Sequence, residues 1–534
     1  MRKDPATRVD SSDVLQELFR SLQDLPEPIP PGRLAQLRRC GIYTQRPARD
    51  GFFMVRIRIP GGDLSPTRLE TIADLSAQHG RGLVDITVRQ NMQLHWVRPP
   101  SLPQILERLH SVGLSTAETC GDTARNIVNC PVAGVDQDEL YDTTGIIGEL
   151  SQFLARSPDF EGLPRRLKIV ISGCALSCTY PEINDIGAFA IRRADGAPAF
   201  RVRVGGGLSF SPRFARDLGV VLEPSEVAEV CAAIASVFRD RHHTSAKLAE
   251  PYFTVAASEI HEFRCQVEHI IGRTLARSAA LEHNKASHDD RSHLGVHRQH
   301  NPGQYYIGLS VVGGRTSSSA LKTLSVLASD YGSGRVRTTN TQNIVLLDVP
   351  ERNLEPLTSQ LELAGFDFQP SWASRGLLAC TGIQFCKLAL TETKHRAAEL
   401  GSQLEHQLAL DQPVRISVTG CPNSCGQHHI CDVGLEGSVA TIDGVKQEAF
   451  QVFLGGGVGS AETFGRRVGS RIPASRLTDA LVALFGRYKA LRTNQESFQQ
   501  FCLRQTDADL ASFLQASELP QIPLQQPDSG ESRL

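Results

Sequence analysis

The sequence predicts an α/β (α+β) protein of three domains, built from two repeats related by a pseudo-two-fold axis. Three observations predict it. The chain is written twice at an offset of about 250 residues, a period far too long for a solenoid. Within each copy, period-two alternation gives way to helical spacing, as a mixture of strands and helices requires. Two cysteine pairs in the second copy sit beside glycines, which let tight loops form between such elements.

The repeat is legible motif by motif. IPGG (Ile59–Gly62) recurs as VVGG (Val311–Gly314), and RQNMQL around Gln90 and Asn91 recurs as TQNIVL around Gln342 and Asn343. Arg125 in ARNIVNC pairs with Arg375 in SRGLLAC, SGCALSC with TGCPNSC, NDIG (Asn184–Gly187) with CDVG (Cys431–Gly434), and VGGGLS with LGGGVG. Two homologous halves place a site at their seam, where both contribute.

FFMVRIRI puts Phe53, Val55, Ile57 and Ile59 on one strand face and Arg56 and Arg58 on the other. Ser65-Pro66 then opens a helix with Leu69, Ile72 and Ala73 inward. From Asp85 to Trp96 the alternation predicts one strand, with Val84, Ile86, Val88, Met92, Leu94 and Trp96 toward the core. Thr87, Arg89, Asn91, Gln93 and His95 form a polar wall opposite. A solvated strand face has the same pattern. The second copy carries Thr339, Thr341, Asn343, Val345 and Leu347 at these positions, so the charge is confined to the first copy.

Composition narrows the function. A net charge of −2 over 534 residues gives no global basic field, which argues against a nucleic-acid partner. MRKDPATRVD has no apolar leader segment and no run is long enough for a membrane helix, so the expectation is a cytoplasmic protein with no membrane contact. The 13 cysteines concentrate at glycine turns, as reduced metal-binding thiols would. No heptads appear, and a monomer is expected. Neither Gly205–Gly207 nor Gly455–Gly457 has the spacing of a dinucleotide site, so electrons must come from a separate carrier.

Cys380 and Cys386 (C-x5-C), with Cys421 and Cys425 (C-x3-C), have the spacing of a 4Fe-4S site. Zinc competes for any such set, but prefers tighter knuckles than a five-residue gap.

The combination FMVRIRIPGG, TVRQNMQLHWV, ARNIVNCPVAGVD, GLPRRLKIVISGC, EINDIG, LGVHRQ, ACTGIQFCKLALTETK and VTGCPNSCGQ resembles the ferredoxin-dependent nitrite and sulfite reductases. The resemblance implies the three-domain nitrite/sulfite reductase fold, divided as a 1–48 arm, a 49–120 ferredoxin-like half-domain, a 121–277 siroheme/4Fe-4S-type domain, a 278–300 linker, a 301–368 second half-domain, a 369–515 cluster domain and a 516–534 tail. It implies siroheme coupled to one 4Fe-4S cluster, held by Cys380, Cys386, Cys421 and Cys425, with Cys425 bridging to the siroheme iron. Thr87, Arg89, Asn91, Gln93, His95 and Arg165, with Gln342 and Asn343, match positions that bind this carboxylate-rich macrocycle. Arg58, Arg125, Arg166 and Lys168 match the cations that hold a small oxyanion and deliver protons. The family usually has Lys where this chain has Arg166.

The implied activity is six-electron reduction of nitrite to ammonia, with electrons from ferredoxin or flavodoxin; the alternative is sulfite to sulfide. Lys168 is typical of sulfite reducers, whereas CPVAGVD, SGCALSC and TGCPNSCGQ look more like the nitrite branch, and nitrite is the first reading. Precorrin-3B synthase and a non-catalytic electron-transfer protein are remote alternatives. Cys130, Cys174 and Cys178 occupy the first repeat's cluster positions, with Asp136 at the fourth. They imply either a second cluster or packed thiols left by duplication. Tyr43 and Cys120 match a tyrosine–cysteine covalent pair that some relatives carry.

Overall fold

The structure, a computed structural model, describes residues 29–160, 163–174, 176–244, 255–277, 292–408, 410–442 and 444–515. Most of the expected arm, the start of the linker and the expected tail lie outside the described residues. The strands run β1 (Ile42–Thr44), β2 (Phe53–Ile57), β3 (Asp63–Leu64), β4 (Leu83–Ile86) and β5 (Met92–Val97) in the first half-domain. Then come β6 (Ile169–Ser172), β7 (Ile186–Arg192), β8 (Pro198–Val204) and β9 (Arg216–Asp217). The second copy repeats the scheme with β10 (Gly295–Arg298), β11 (Gln304–Leu309), β12 (Arg315–Ser317), β13 (Val336–Thr338) and β14 (Ile344–Pro350), then β15 (Leu377–Ala379), β16 (Ile416–Thr419), β17 (Val433–Ile442), β18 (Val445–Leu454) and β19 (Arg466–Pro473).

The two half-domains interlock. Their sheets have the orders β1-β2-β5-β4-β12 and β10-β11-β14-β13-β3, so each copy lends one short strand to the other's sheet. One hydrophobic core serves both, joining Val55, Ile72 and Leu94 of the first copy to Ile307, Leu324 and Leu346 of the second. The helix predicted after Ser65 spans Pro66–His79, with the Ser65 hydroxyl accepting from the Arg68 amide and Leu69, Ile72 and Ala73 buried. A second core forms under β6–β9 and a third under β15–β19.

One expected element differs. The stretch Asp85–Trp96 is not one strand but a hairpin, in which β4 and β5 pair antiparallel with Asp85 opposite Gln93. Gln90 sits at φ 59°, and the Thr87 hydroxyl accepts from the Arg89 and Asn91 amides, closing the turn. Alternation passes through such a turn unbroken, which is why period alone missed it. Part of the expected linker is also ordered: β10 pairs antiparallel with β11.

The parallel pairs position the cysteines. β15 and β16 run parallel, so Cys380 and the Gly420-Cys421 segment leave the sheet at the same end. Ligands gather where the carboxyl ends of parallel strands meet.

Candidate functional site

Cys380 follows β15 directly, and its Sγ accepts from the Gly420 amide at 3.2 Å. Gly382 turns the chain away at φ +72°, and a Cβ there would lie 2.4 Å from the Thr393 hydroxyl, so this turn requires glycine. Burial pushes the Cys380 thiol up to about 12, and the neighbouring Cys425 and Cys421 add to the effect. The Cys421 thiol is likewise raised by burial, then by Cys425 and Cys386. Thiols raised like those of Cys380 and Cys421 become anions only beside a strong cation, which is the chemistry of metal-bound thiolates. A 4Fe-4S cluster takes one thiolate on each of its four irons, which is the number of cysteines these loops carry.

Lys168 and Arg56 connect the cations to Cys425. Lys168 is pushed down to about 8 by burial and by Arg166, while Asp185 and Cys425 oppose the shift. Arg89 is lowered to about 9 by burial, Arg125 and Arg58. Arg125 is lowered by burial and by Arg56 and Arg166, against the pull of Cys120 and Tyr43. Arg58, Arg89, Arg125, Arg166 and Lys168 thus form one mutually repelling group, and Arg165 acts on its acidic member Asp185. Among the described residues, Arg58 Nη2, Arg89 Nε and Arg125 Nε are buried without a hydrogen-bond partner. Orphaned buried donors beside repelling cations suit an anion with many acceptor oxygens.

One segment, Thr116–Thr123, holds three arginines in place. Glu118 pairs with Arg58 at 2.6 Å, and the carbonyls of Thr119 and Gly121 accept from Arg125, the latter at 2.8 Å. Thr119 O also accepts from Arg56 at 3.1 Å, and Arg56 lies 3.4 Å from the Cys120 sulfur. With its amide oxygen toward Arg56, Gln93 accepts from Nε at 2.8 Å and Nη2 at 2.7 Å. Arg56 interacts with Cys425 and Cys386 as well. Sequence reasoning placed Arg56 only as a face partner of Arg58, and its alternation on β2 was the available signal. The Tyr43 hydroxyl is hydrogen-bonded to Cys120, under the Arg56 guanidinium at 5.8 Å from the ring.

The other expected cofactor residues divide. Arg89 is a strut, donating to Asn184 Oδ1 at 3.1 Å, to Ile169 O at 3.0 Å and to Asn126 O. Thr87 builds the β4–β5 turn. Asn91 accepts from the Ile59 amide and Asn343 from the Val311 amide, an identical contact in each copy. Gln342 donates to Ile86 O and Ala379 O, bonding the second copy to the first. Asn91, Gln342 and Asn343 therefore satisfy backbone. His95 is not on an open wall: its Nε2 lies 3.1 Å from Asp85, and its ring stacks on Phe385 at 3.8 Å.

Among the described residues no helix is long and apolar enough to cross a membrane. The profile of the nitrite and sulphite reductase 4Fe-4S domain matches residues 120–274 and 373–499, and that of the nitrite/sulfite reductase ferredoxin-like half domain matches 45–112 and 297–364. The chain is 36% identical over 502 residues to sulfite reductase (ferredoxin) 2 of Mycolicibacterium paratuberculosis, covering 89% of both chains. It is 37% identical over 465 residues to the ferredoxin–nitrite reductase of Synechococcus elongatus, covering 85% of this chain and 90% of that one. The solved structure of the Mycobacterium tuberculosis NirA protein superposes with a TM-score of 0.85 at 33% identity, over 95% of this chain and 96% of that one. With four cysteines on the loops around β15 and β16 and orphaned donors suited to a carboxylate-rich macrocycle, the chain belongs to the nitrite and sulfite reductase family, oxidoreductases that work with a 4Fe-4S cluster and siroheme.

Proposed function

We propose that this protein is a ferredoxin-dependent six-electron reductase of a small oxyanion, with sulfite as the preferred substrate and nitrite as the second reading. The carrying observation is that Arg58, Arg125, Arg166 and Lys168 act on one another as a single cation group, with Lys168 interacting with Cys425. Cys380, Cys386, Cys421 and Cys425 would hold the cluster and the orphaned donors around Arg58, Arg89 and Arg125 the siroheme, which when bound would supply the electrons and the iron for the reduction.

The chain's own residues do the rest. Arginine guanidinia bind the substrate oxygens and fix their direction, since they stay charged throughout. Arg58 and Arg125 are pre-aimed by Glu118 and by the Thr119 and Gly121 carbonyls, so little reorganisation is needed. Removing oxygen as water consumes protons. Lys168, lowered to about 8, holds an ammonium proton that it can release near neutral pH, and it is the general acid of the group.

The substrate preference rests on the residues that face this group. Lys168 and the Tyr43–Cys120 pair match the sulfite-reducing pattern. The segments that resemble the nitrite branch build cysteine loops. A donor such as ferredoxin fits the Cys386 segment, where Lys387, Leu388 and Leu390 are exposed beside a cluster thiol. Parallel assays with reduced methyl viologen test the reading: a higher kcat/KM for sulfite supports it, a higher one for nitrite selects the second reading, and no turnover of either by siroheme-loaded enzyme refutes both.

A further inference from the structure

Opposite the catalytic seam lies its pseudo-two-fold mate, with its own thiols. Cys130, Cys174 and Cys178 stand where Cys380, Cys421 and Cys425 stand in the second copy, and all three are buried. Ligand atoms of Cys130, Cys178 and His293 lie within 4.8 Å of one another, and the Cys174 and Cys178 sulfurs are 4.0 Å apart. Two thiols and an imidazole thus converge in the interior, and Cys174 stands beside them, next to Cys178 and 3.3 Å from the Ser172 hydroxyl.

This place differs from the catalytic one in ways that remove a macrocycle and a cubane but leave room for one ion. Gln93 and His95 are replaced by Val345 and Leu347, which pack on Cys130, Cys174 and Cys178 in one apolar cluster. Asp136, at the Cys386 position, uses its carboxylate to accept from the Asp138 amide within its own turn. Gly308 stands at the position of Arg56. A Cβ on Gly308 would lie 1.8 Å from the His293 carbonyl oxygen, so loss of the arginine side chain is what lets the His293 segment lie here. His293 is held at φ 56°, an uncommon conformation for a side chain other than glycine.

We propose that Cys130, Cys174, Cys178 and His293 form a mononuclear structural zinc site. A Cys3His set is a closed tetrahedral zinc ligand set, and zinc bonds of about 2.3 Å to sulfur and about 2.0 Å to nitrogen place neighbouring ligand atoms about 3.5–3.8 Å apart. Cys130, Cys178 and His293 are already grouped for such an ion, and Cys174 reaches it by rotating off the Ser172 hydroxyl. The zinc ties the loops around Cys130 and Cys174 to the start of the second copy, and takes no part in electron transfer.

Elemental analysis of holoenzyme purified without chelators tests this. The expected result is one zinc per chain beside the full iron of cluster and siroheme, with zinc-edge X-ray absorption giving three sulfur ligands and one nitrogen. Cys178→Ser and His293→Gln should each cut bound zinc at least tenfold while the siroheme absorption and iron content stay. Fully iron-loaded wild-type enzyme without zinc, extra iron in place of zinc, a Cys174–Cys178 disulfide, or zinc retained in both variants would each overturn the proposal. The wild-type measurements decide the matter even if the variants fail to fold.

Discussion

Lys168 carries the sharpest prediction at the residue scale. Its ammonium, lowered to about 8 by burial and Arg166, is the acid form that donates, so donation is lost as pH rises through its pKa. Anions bound beside it favour the charged form and move that limit upward. The sulfite kcat/KM should therefore fall on an alkaline limb at or above about pH 8. Lys168→Arg should push the limb beyond the measurable range, and Lys168→Asn should lower the sulfite rate about 100-fold, the low end for loss of a general acid. A profile unchanged in Lys168→Asn would remove Lys168 from proton delivery.

Tyr43 and Cys120 give a second test at the same scale. The hydroxyl and thiol are neighbours, with Arg56 3.4 Å from the sulfur, so a two-electron oxidation by dioxygen, which carries off the thiol hydrogen and a ring hydrogen as peroxide, joins the sulfur to the ring carbon beside the hydroxyl. Intact mass of the unfolded chain should be about two hydrogens below the sequence mass, and Tyr43→Phe should restore it. An unmodified mass leaves two ordinary buried side chains.

Residue identities were legible to very different degrees. The cluster cysteines announce themselves by spacing, because one inorganic group fixes the distances among its ligands. Arg56, Glu118 and the Thr119 carbonyl do not, because their work depends on where separate segments meet. His95 looked like part of an open wall because alternation reports which face a residue takes and is silent on what lies across from it.

The hairpins and short lent strands belong to the element scale. Arg315 on β12 grips Asp85 on β4 at 2.8 and 3.0 Å, and His95 and Lys394 join the pair. Burial alone would raise the Asp85 carboxyl, yet Lys394, His95 and Arg315 hold it well below the usual carboxylate range. The pseudo-symmetric pair has its charges exchanged: Arg337 on β13 meets Asp63 on β3 at 3.1 Å. A first copy pairing with another first copy would set Asp63 against Asp85, so the exchange favours first-with-second pairing over like-with-like. Asp85→Asn, which leaves Arg315 and Lys394 without their anion, should destabilise the fold by about 3 kcal/mol in denaturant unfolding, as broken buried pairs do. A change below about 0.5 kcal/mol would mean that the network is dispensable.

At the scale of the whole molecule, the two half-domains share one core and exchange strands, so neither copy is a folding unit by itself. A chain ending at Arg277 should expose half of that core and aggregate, while co-expression with the remainder should recover a soluble complex that takes up siroheme. A monomeric, cooperatively unfolding first copy would contradict this.

The sequence by itself determined the duplication and the mixed α/β class, and it displays the C-x5-C and C-x3-C pairs, because each is written as local spacing or as recurrence along one chain; the cations came from the family resemblance. Only the tertiary structure decided that Asp85–Trp96 folds back on itself, that Asn91, Gln342 and Asn343 bond backbone at the seam, and that His293 meets Cys130 and Cys178 of the other copy. Those outcomes depend on which surfaces meet across the pseudo-two-fold axis, and linear order carries no record of such meetings.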